Sequence, residues 1–227
     1  MASPPNRSSF AATLFTGLGA TATIGGTVNT GDLVIIMSVG ADAASPVNTP
    51  PAITGATFIE LANLGSTASE GRICAWYARA DSGGGVTATV SRPSSNVQWG
   101  AFAWVYRNHN GIGKVATALA KTTDSVILPR SGANSALLFG SSDWNGITGT
   151  RTRRTINSST GVEEGFTQQA GVYSAYAIRY DNGGNPAPTG QEGGNSAPGS
   201  TKSNVVGVEI LSASGSPGPE LVMAFPI

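Results

Sequence analysis

Residues Glu70–Arg92 read EGRICAWYARADSGGGVTATVSR, and this stretch decides the fold class. Its first half is rich in β-branched and aromatic residues, and Val86–Val90 (VTATV) alternates apolar and polar side chains. Alternation with a period of two is typical of a half-buried β-strand, and a glycine-rich connection is typical of a hairpin. The stretch therefore predicts two antiparallel strands joined at Asp81–Gly85.

The same strand pattern recurs along the chain, with turn-forming residues between the runs. Further strands are predicted at Phe10–Phe15, Ala20–Val28, Asp32–Val39, Phe58–Leu64, Val97–Arg107, Ser125–Leu128, Ser135–Ser141, Thr150–Ile156, Val172–Tyr180, Val205–Leu211 and Leu221–Phe225. Many short strands at even spacing indicate an all-β protein, an antiparallel β-sandwich that we expect to be jelly-roll-like.

Helical signals are weak and no long internal repeat is evident. Ala116–Lys121 could form one helical turn. Leu33–Met37 is continuously apolar, which predicts a central strand covered on both faces. We expect one domain over residues 10–227, preceded by an N-terminal arm at residues 1–9. Residues 181–204 are rich in Gly, Pro and Asn and are predicted to form one long loop.

The charge balance limits the possible partners. Thirteen basic and thirteen acidic residues give a net charge of zero, and only 11% of the 227 residues are charged, against roughly 25% in an average protein. Neutrality argues against a nucleic-acid or polybasic membrane binder. A low charge fraction is less surprising where partner subunits cover the surface. The N-terminus lacks the apolar region of a signal peptide, and no apolar run is long enough to cross a membrane, so we expect a soluble protein made in the cytoplasm.

The chain has one cysteine and one histidine. Cys74 lies within a predicted strand and is interpreted as a small buried residue. His109 follows a strong strand and is interpreted as a turn residue. Because zinc sites need three or four ligands, these two residues predict neither a metal centre nor a catalytic triad. No cofactor is expected.

The carboxylates are scattered singly and mostly follow strands. A glycosidase needs two of them to converge across a cleft. The sequence leaves open a convergence of Asp143 with Glu163 or Glu164, but nothing in it supports a hydrolase, and we expect no enzyme. Asp181–Asn185 could wrap a hard cation, although it lacks the EF-hand pattern and is read as a plain turn.

Two groups of residues are candidates for an interface. Arg151, Arg153 and Arg154 form the only dense basic cluster, and they could pair with Glu163–Glu164 across a hairpin or face an acidic partner. Trp144, followed by Asn145, is expected in a loop, where an exposed tryptophan could contact a partner or stack on a sugar.

Several segments resemble proteins of bacteriophage virions. They are NTGDLVII at residues 29–36, WYARAD at 76–81 with VTATV at 86–90, and WVYR at 104–107. In this order they are similar to a group from tailed phages of actinobacteria and other hosts, often called minor tail proteins. The resemblance covers roughly residues 10–211, and its motifs are structural.

The resemblance implies a self-associating sandwich incorporated into a virion, and it implies no catalytic residues. The expected partners are other copies of the chain and neighbouring virion subunits, with no nucleic acid. A tail or tail-tip position is the first hypothesis and the capsid exterior is the second. A carbohydrate-binding module for attachment to host glycans is a third, and it depends on exposure of Trp144.

Overall fold

The computed structural model of the protein describes residues 4–13, 22–40, 57–65, 71–80, 84–90, 99–143, 149–169, 173–199 and 202–213. Every regular element in these residues is a β-strand. The strands are β1 (Asn6–Thr13), β2 (Ala22–Val28), β3 (Leu33–Gly40), β4 (Ile59–Leu64), β5 (Arg72–Arg79), β6 (Gly84–Val90), β7 (Trp99–Arg107), β8 (His109–Lys121), β9 (Ser125–Arg130), β10 (Ala136–Asp143), β11 (Thr152–Arg153), β12 (Thr155–Ile156), β13 (Ser159–Thr160), β14 (Val162–Gln169), β15 (Tyr173–Tyr180), β16 (Ala187–Ala197) and β17 (Ser203–Ser212).

Two five-stranded antiparallel sheets pack face to face and form the sandwich that the sequence predicts. The N-terminal sheet has the order β1-β7-β3-β5-β4, and the C-terminal sheet has the order β14-β15-β10-β17-β8. The main core between them includes Ile35, Met37 and Trp104 from one sheet and Leu138 and Val206 from the other. Each sheet takes its strands from one half of the chain. Jelly-roll connectivity is not confirmed by these strand orders and stays a prediction.

The two halves of the chain share one topology. In residues 6–107, the first strand lies beside the seventh, then come the third, fifth and fourth, while the second pairs with the sixth. Residues 109–212 repeat this order when the short strands β11–β13 are set aside, and here β9 pairs with β16 as the second and sixth strands. The sandwich is therefore an internal repeat of two similar sheets, although no long repeat is evident in the sequence.

Each sheet also carries a second core on its outer face. In the N-terminal sheet this core contains Val34, Ile36, Cys74 and Trp76. In the C-terminal sheet it contains Phe139, Tyr176, Tyr180 and Val205, with Val126 and Leu128 of β9 packed on top. Because both faces of the central strands are covered, β3 and β10 are buried along their whole length, as the apolar run at Leu33–Met37 predicts.

The predicted hairpin of residues 70–92 is wrong, although both of its strands exist. β5 pairs with β3 and β4, whereas β6 pairs with β2. The buried side chains of β5 place it inside the main sheet, where β3 and β4 occupy both of its edges and none remains for β6. The glycine-rich segment thus leads from the main sheet to the strand pair β2–β6, and residues 81–83 lie outside the described part of the chain.

Two other expectations differ from the structure, and a third cannot be compared with it. Ala116–Lys121 belongs to β8, because pairing with β17 outweighs a weak helical propensity. The N-terminal arm is shorter than expected, since β1 begins at Asn6 and pairs with β7. The predicted strand at Leu221–Phe225 lies outside the described residues.

The segment 181–204 contains the eleven-residue strand β16, where a loop is predicted. Its glycines serve close packing. A Cβ atom on Gly193 would lie 2.2 Å from Cζ of Phe139, and one on Gly194 would lie 2.2 Å from the backbone oxygen of Asp124. Glycine in a strand often marks such an approach of backbone to its neighbours.

Candidate functional site

An oxygen-rich group of side chains lies at one end of the outer face of the C-terminal sheet. Asp143, the last residue of β10, stands directly between Ser174 of β15 and Ser203 of β17. Ser141 lies two residues before Asp143 and therefore on the same face, since side chains alternate along a strand. Together with Asp124 we call these residues the oxygen-lined corner, and each of them is at most 1% exposed.

Asp124 is the member of the oxygen-lined corner that comes from outside the C-terminal sheet. It lies just before β9, and its Oδ1 accepts a hydrogen bond of 3.3 Å from the Ser141 hydroxyl. Its backbone oxygen accepts hydrogen bonds from the Tyr176 hydroxyl and from the backbone N–H of Asn195. Burial raises the pKa of the Asp124 carboxyl to about 7; the hydroxyl of Ser203 opposes this rise, the charge of Asp143 adds to it, and Ser141 opposes it more weakly.

Several buried polar atoms at the corner have no hydrogen-bond partner. They are Oδ2 of Asp124, Oγ of Ser203 and both amide atoms of Asn195. Ser203 Oγ lies close enough to lower the pKa of Asp124, yet these two side chains make no hydrogen bond of normal geometry. Buried polar groups in proteins are nearly always partnered. The corner therefore holds buried polar atoms, both donors and acceptors, that are unpartnered within the described residues.

The corresponding part of the N-terminal sheet differs in chemistry. Ser38 stands between Cys74 and Ala101, and the next row toward the strand ends is Gly40 between Arg72 and Trp99. Neither row holds a carboxylate. These rows hold Arg72 beside small or apolar residues, so a carboxylate at the position of Asp143 is not a requirement of the shared topology.

A second buried carboxylate, Glu209 of β17, is saturated with donors. It accepts hydrogen bonds from the backbone N–H groups of Lys114, Ser131 and Gly132, and from the hydroxyls of Ser131 and Ser135, at 2.8–3.1 Å. Glu209 is fully buried. This carboxylate ties β17 to β8 and to the turn before β10. Its role is structural, because no oxygen faces solvent or a cleft.

Glu164 of β14 joins the two sheets. Its Oε1 lies 2.8 Å from Nε of Arg7 and 3.0 Å from Nε of Arg179, and its Oε2 accepts a bond of 2.5 Å from the Trp104 indole. Arg179 also pairs with Asp181. Strands β1 and β7 of one sheet are thereby linked to β14 and β15 of the other.

The predicted basic cluster is used largely within the chain. Arg151 forms two bonds of 2.6 Å to Glu163 and lies 3.5 Å over the ring of Phe166, so the ion pair predicted across the hairpin is present. Arg154 pairs with Glu192 at 2.9 Å. Arg153 lies in β11, opposite Asn195. Contact of these arginines with an acidic partner stays a prediction.

Three further predictions concern Trp144 with Asn145, the convergence of Asp143 with Glu163, and the turn at 181–185. Trp144 and Asn145 lie outside the described residues. Asp143 does not converge with Glu163, because its cross-strand partner on β15 is Ser174 while that of Glu163 is Ile178, four residues or roughly 13 Å further along. In the turn at 181–185, Asp181 pairs with Arg179 and Asn182 Oδ1 accepts the N–H of Gly184. One oxygen of Asp181 and one of Asn182 thus have local partners, as in a plain turn.

Cys74 is buried within a strand, as predicted, whereas His109, predicted to lie in a turn, is the first residue of β8 and pairs with Ser212. The Cys74 thiol is buried and donates to Oδ1 of Asn63 at 3.0 Å, and burial raises its pKa to about 12. His109 accepts the N–H of Gly111 at Nδ1, so Nε2 carries the proton that it donates to the backbone oxygen of Gly31 at 2.9 Å. Burial lowers the pKa of His109, and this bond to Gly31 opposes the effect. His109 thereby links the two halves of the chain in its neutral form.

An open groove of about 460 Å³ runs between β8 and β9. Leu119 and Ile127 border it and are each 57% exposed, more than any other large apolar side chain among the described residues. Ser125 and Glu192 line its polar side and are joined by a bond of 2.6 Å. This groove thus combines two exposed apolar side chains with a polar lining.

Comparisons with protein-family models, with curated proteins and with solved structures find no match for this chain. In the described part of the chain, no helix is long and apolar enough to cross a membrane. No group of three or more His, Cys, Asp or Glu residues there is placed to hold a metal ion.

Proposed function

We propose that the chain is a structural subunit of a tailed-phage virion, with the tail or tail tip as its leading position. The particle class comes from the resemblance of residues 29–36, 76–90 and 104–107. One structural observation supports a structural role, namely the use of two buried carboxylates in contacts within the fold. The buried Glu164 side chain links the two sheets, and the buried Glu209 side chain links β17 to the turn before β10. Both carboxylates therefore stabilise the fold.

A particle subunit needs a rigid body and a surface that partners can cover. Both sheets are buried on both faces, which supports rigidity. The charged fraction of 11% supports a surface that is sparsely charged. A surface of this kind loses little hydration of charged groups when another subunit covers it.

Self-association is expected to use the groove between β8 and β9. Leu119 and Ile127 lie at neighbouring free edges of two strands, and covering them with a second copy would remove apolar area from water. Light scattering after size exclusion should show an oligomer for the natural chain. The double variant Leu119→Ser and Ile127→Ser should dissociate at a higher protein concentration.

Ile59→Ser provides a matched control, because Ile59 is 51% exposed but lies on β4 of the other sheet. It should leave the oligomer intact. A natural chain that stays monomeric at all concentrations, or a control that dissociates as readily as the double variant, would contradict the assignment of this surface.

Localisation tests the proposal as a whole. An antibody against the purified chain, applied to whole phage particles with a gold label, should mark the tail or its tip. Labelling of the head would favour the capsid exterior, and binding to a glycan array by the free chain would favour attachment to the host. Absence of label from every particle would contradict the proposed virion role.

A further inference from the structure

We propose that the oxygen-lined corner of Asp124, Ser141, Asp143, Ser174 and Ser203 binds one hard divalent cation, Ca²⁺ by preference. The site is independent of the virion role. Its geometry rests on the register of three adjacent strands, which sets Asp143 between Ser174 and Ser203, and on the bond between Asp124 and Ser141.

The unpartnered atoms point to a ligand. Oδ2 of Asp124 and Oγ of Ser203 are buried without a hydrogen bond, and both belong to fully buried residues. Directly opposite strand residues have Cβ atoms about 4.5–5.5 Å apart, so the Ser203 hydroxyl stands beside the Asp143 carboxylate on the same face. A cation among these oxygens would neutralise two adjacent buried carboxylates and use the free atoms as ligands.

The donor set decides the class of cation. The corner offers carboxylate and hydroxyl oxygens, while the sole cysteine and sole histidine of the chain lie elsewhere. Oxygen ligands select hard ions such as Ca²⁺ and Mg²⁺ over zinc or copper. Ca²⁺ takes six to eight oxygens in irregular geometry, whereas Mg²⁺ usually retains several waters. Because the corner is closed to solvent, protein oxygens dominate it, and this favours Ca²⁺.

The internal repeat provides a comparison within the same molecule. The equivalent rows of the N-terminal sheet hold Ser38, Cys74 and Ala101, then Gly40, Arg72 and Trp99, without a carboxylate. Two buried carboxylates near one another oppose folding unless they are neutralised. A ligand bound by the C-terminal copy agrees with the presence of Asp143 in that copy and its absence from the equivalent rows of the other.

The test is thermal unfolding of the intact chain at pH 8 after dialysis against EDTA, with Ca²⁺ or Mg²⁺ added alone. At a Ca²⁺ concentration about 100 times the dissociation constant, the Tm should rise by roughly 5–10 °C. Calorimetry should show one site. No change in Tm and no heat of binding up to about 10 mM Ca²⁺, above the range of weak protein sites, would overturn the proposal, and a larger rise with Mg²⁺ would overturn the choice of ion.

Two variants locate the site. Asp124→Asn keeps the shape of the side chain and removes one charge, so it should fold and lose the response to Ca²⁺. Ser203→Ala serves as a second variant and should weaken Ca²⁺ binding about tenfold, the loss of one ligand. Asp181→Asn is the matched control, because Asp181 lies in the turn at 181–185 and is 58% exposed. Loss of the response in this control, or its persistence in Asp124→Asn, would overturn the assignment to the corner.

Discussion

The N-terminal and C-terminal sheets have the same strand order and different chemistry. Both place the third strand at the centre, between the fifth and the seventh. The outer face of the N-terminal sheet is filled by apolar residues such as Ile36 and Trp76. The outer face of the C-terminal sheet ends in Asp143 and its serine neighbours. The comparison shows that the topology tolerates either filling, so the polar groups of the second copy reflect a local role.

The largest expected effect comes from Glu209 in the C-terminal half. Glu209→Ala leaves three backbone N–H groups and two hydroxyls without their acceptor. The free energy of unfolding should fall by about 3–5 kcal/mol, the range for breaking a buried charged network. Denaturant unfolding measures it.

Asp32→Asn is the variant for comparison in the N-terminal half. Asp32 pairs with Arg107 at 3.3 Å, and the Arg107 side chain is 38% exposed. The free energy of unfolding of this variant should fall by only about 1 kcal/mol, because solvent screens the pair. An equal loss of unfolding free energy in Glu209→Ala and Asp32→Asn would contradict a stronger contribution from the fully buried carboxylate.

Glu164→Gln should have the next largest effect, because Glu164 connects the two sheets. The variant removes the charge that faces Arg7 and Arg179, and the free energy of unfolding should fall by about 2 kcal/mol. Hydrogen exchange should report faster opening of β1 and β14. Asp181→Asn also removes a partner of Arg179 but at an exposed site, and it should change stability little. A similar loss in both variants would mean that Glu164 does not couple the sheets.

Arg151→Ala tests the region that has no counterpart in the first half. Arg151 and Glu163 flank the strand pair β12–β13, which lies in the stretch inserted between the third and fourth strands of the second copy. Loss of the paired bonds and of the contact with Phe166 should lower the free energy of unfolding by about 1 kcal/mol. Chemical denaturation measures the change, and Arg154→Ala, whose partner Glu192 is 40% exposed, should cost less.

The smallest predicted effect is a pH dependence at the junction of the halves. Burial lowers the pKa of His109, and Arg79 and Asp32 are the charged groups that act on it. A lowered histidine pKa means that the folded state favours the neutral ring. The associated stability is present above about pH 6.5, the unfolded value, and is lost as the pH falls below it.

Unfolding measured between pH 7.5 and pH 5.5 should show this loss in the natural chain. His109→Gln cannot gain a proton, so its stability should decline less over the same interval. Identical pH profiles for the two proteins would show that protonation of His109 does not weaken the contact with Gly31.

The strands of the fold follow from the sequence where the side-chain pattern is strong. The apolar run at Leu33–Met37 predicts a central strand, and the alternation of Phe102 and Trp104 with small residues predicts a strand with one bulky face. The pattern fails where tertiary contacts decide. β16 contains glycines that a loop would also have, and they are required there because Phe139 and Asp124 approach its backbone.

The repeat left only a faint trace in the sequence. Arg79-x-Asp81-x-Gly83-Gly84 recurs as Arg179-x-Asp181-x-Gly183-Gly184, one hundred positions later. Topology depends on which faces are apolar, and many side chains satisfy that condition, so two copies can diverge widely. The oxygen-lined corner was equally hidden. Asp124, Asp143 and Ser203 are distant along the chain; the register of β10 with β17 pairs Asp143 with Ser203, and the bond from Ser141 brings in Asp124.

The division of the sandwich into two copies has a consequence for how such a molecule can change. If each sheet were a separate half-length chain, the sandwich would be a homodimer, and every inherited substitution would enter both sheets at once. Here both copies lie on one polypeptide, so a substitution enters one and spares the other. The outer face of one sheet can therefore acquire a pair of aspartates while the other sheet remains without them. Both sheets still contribute to the core between them.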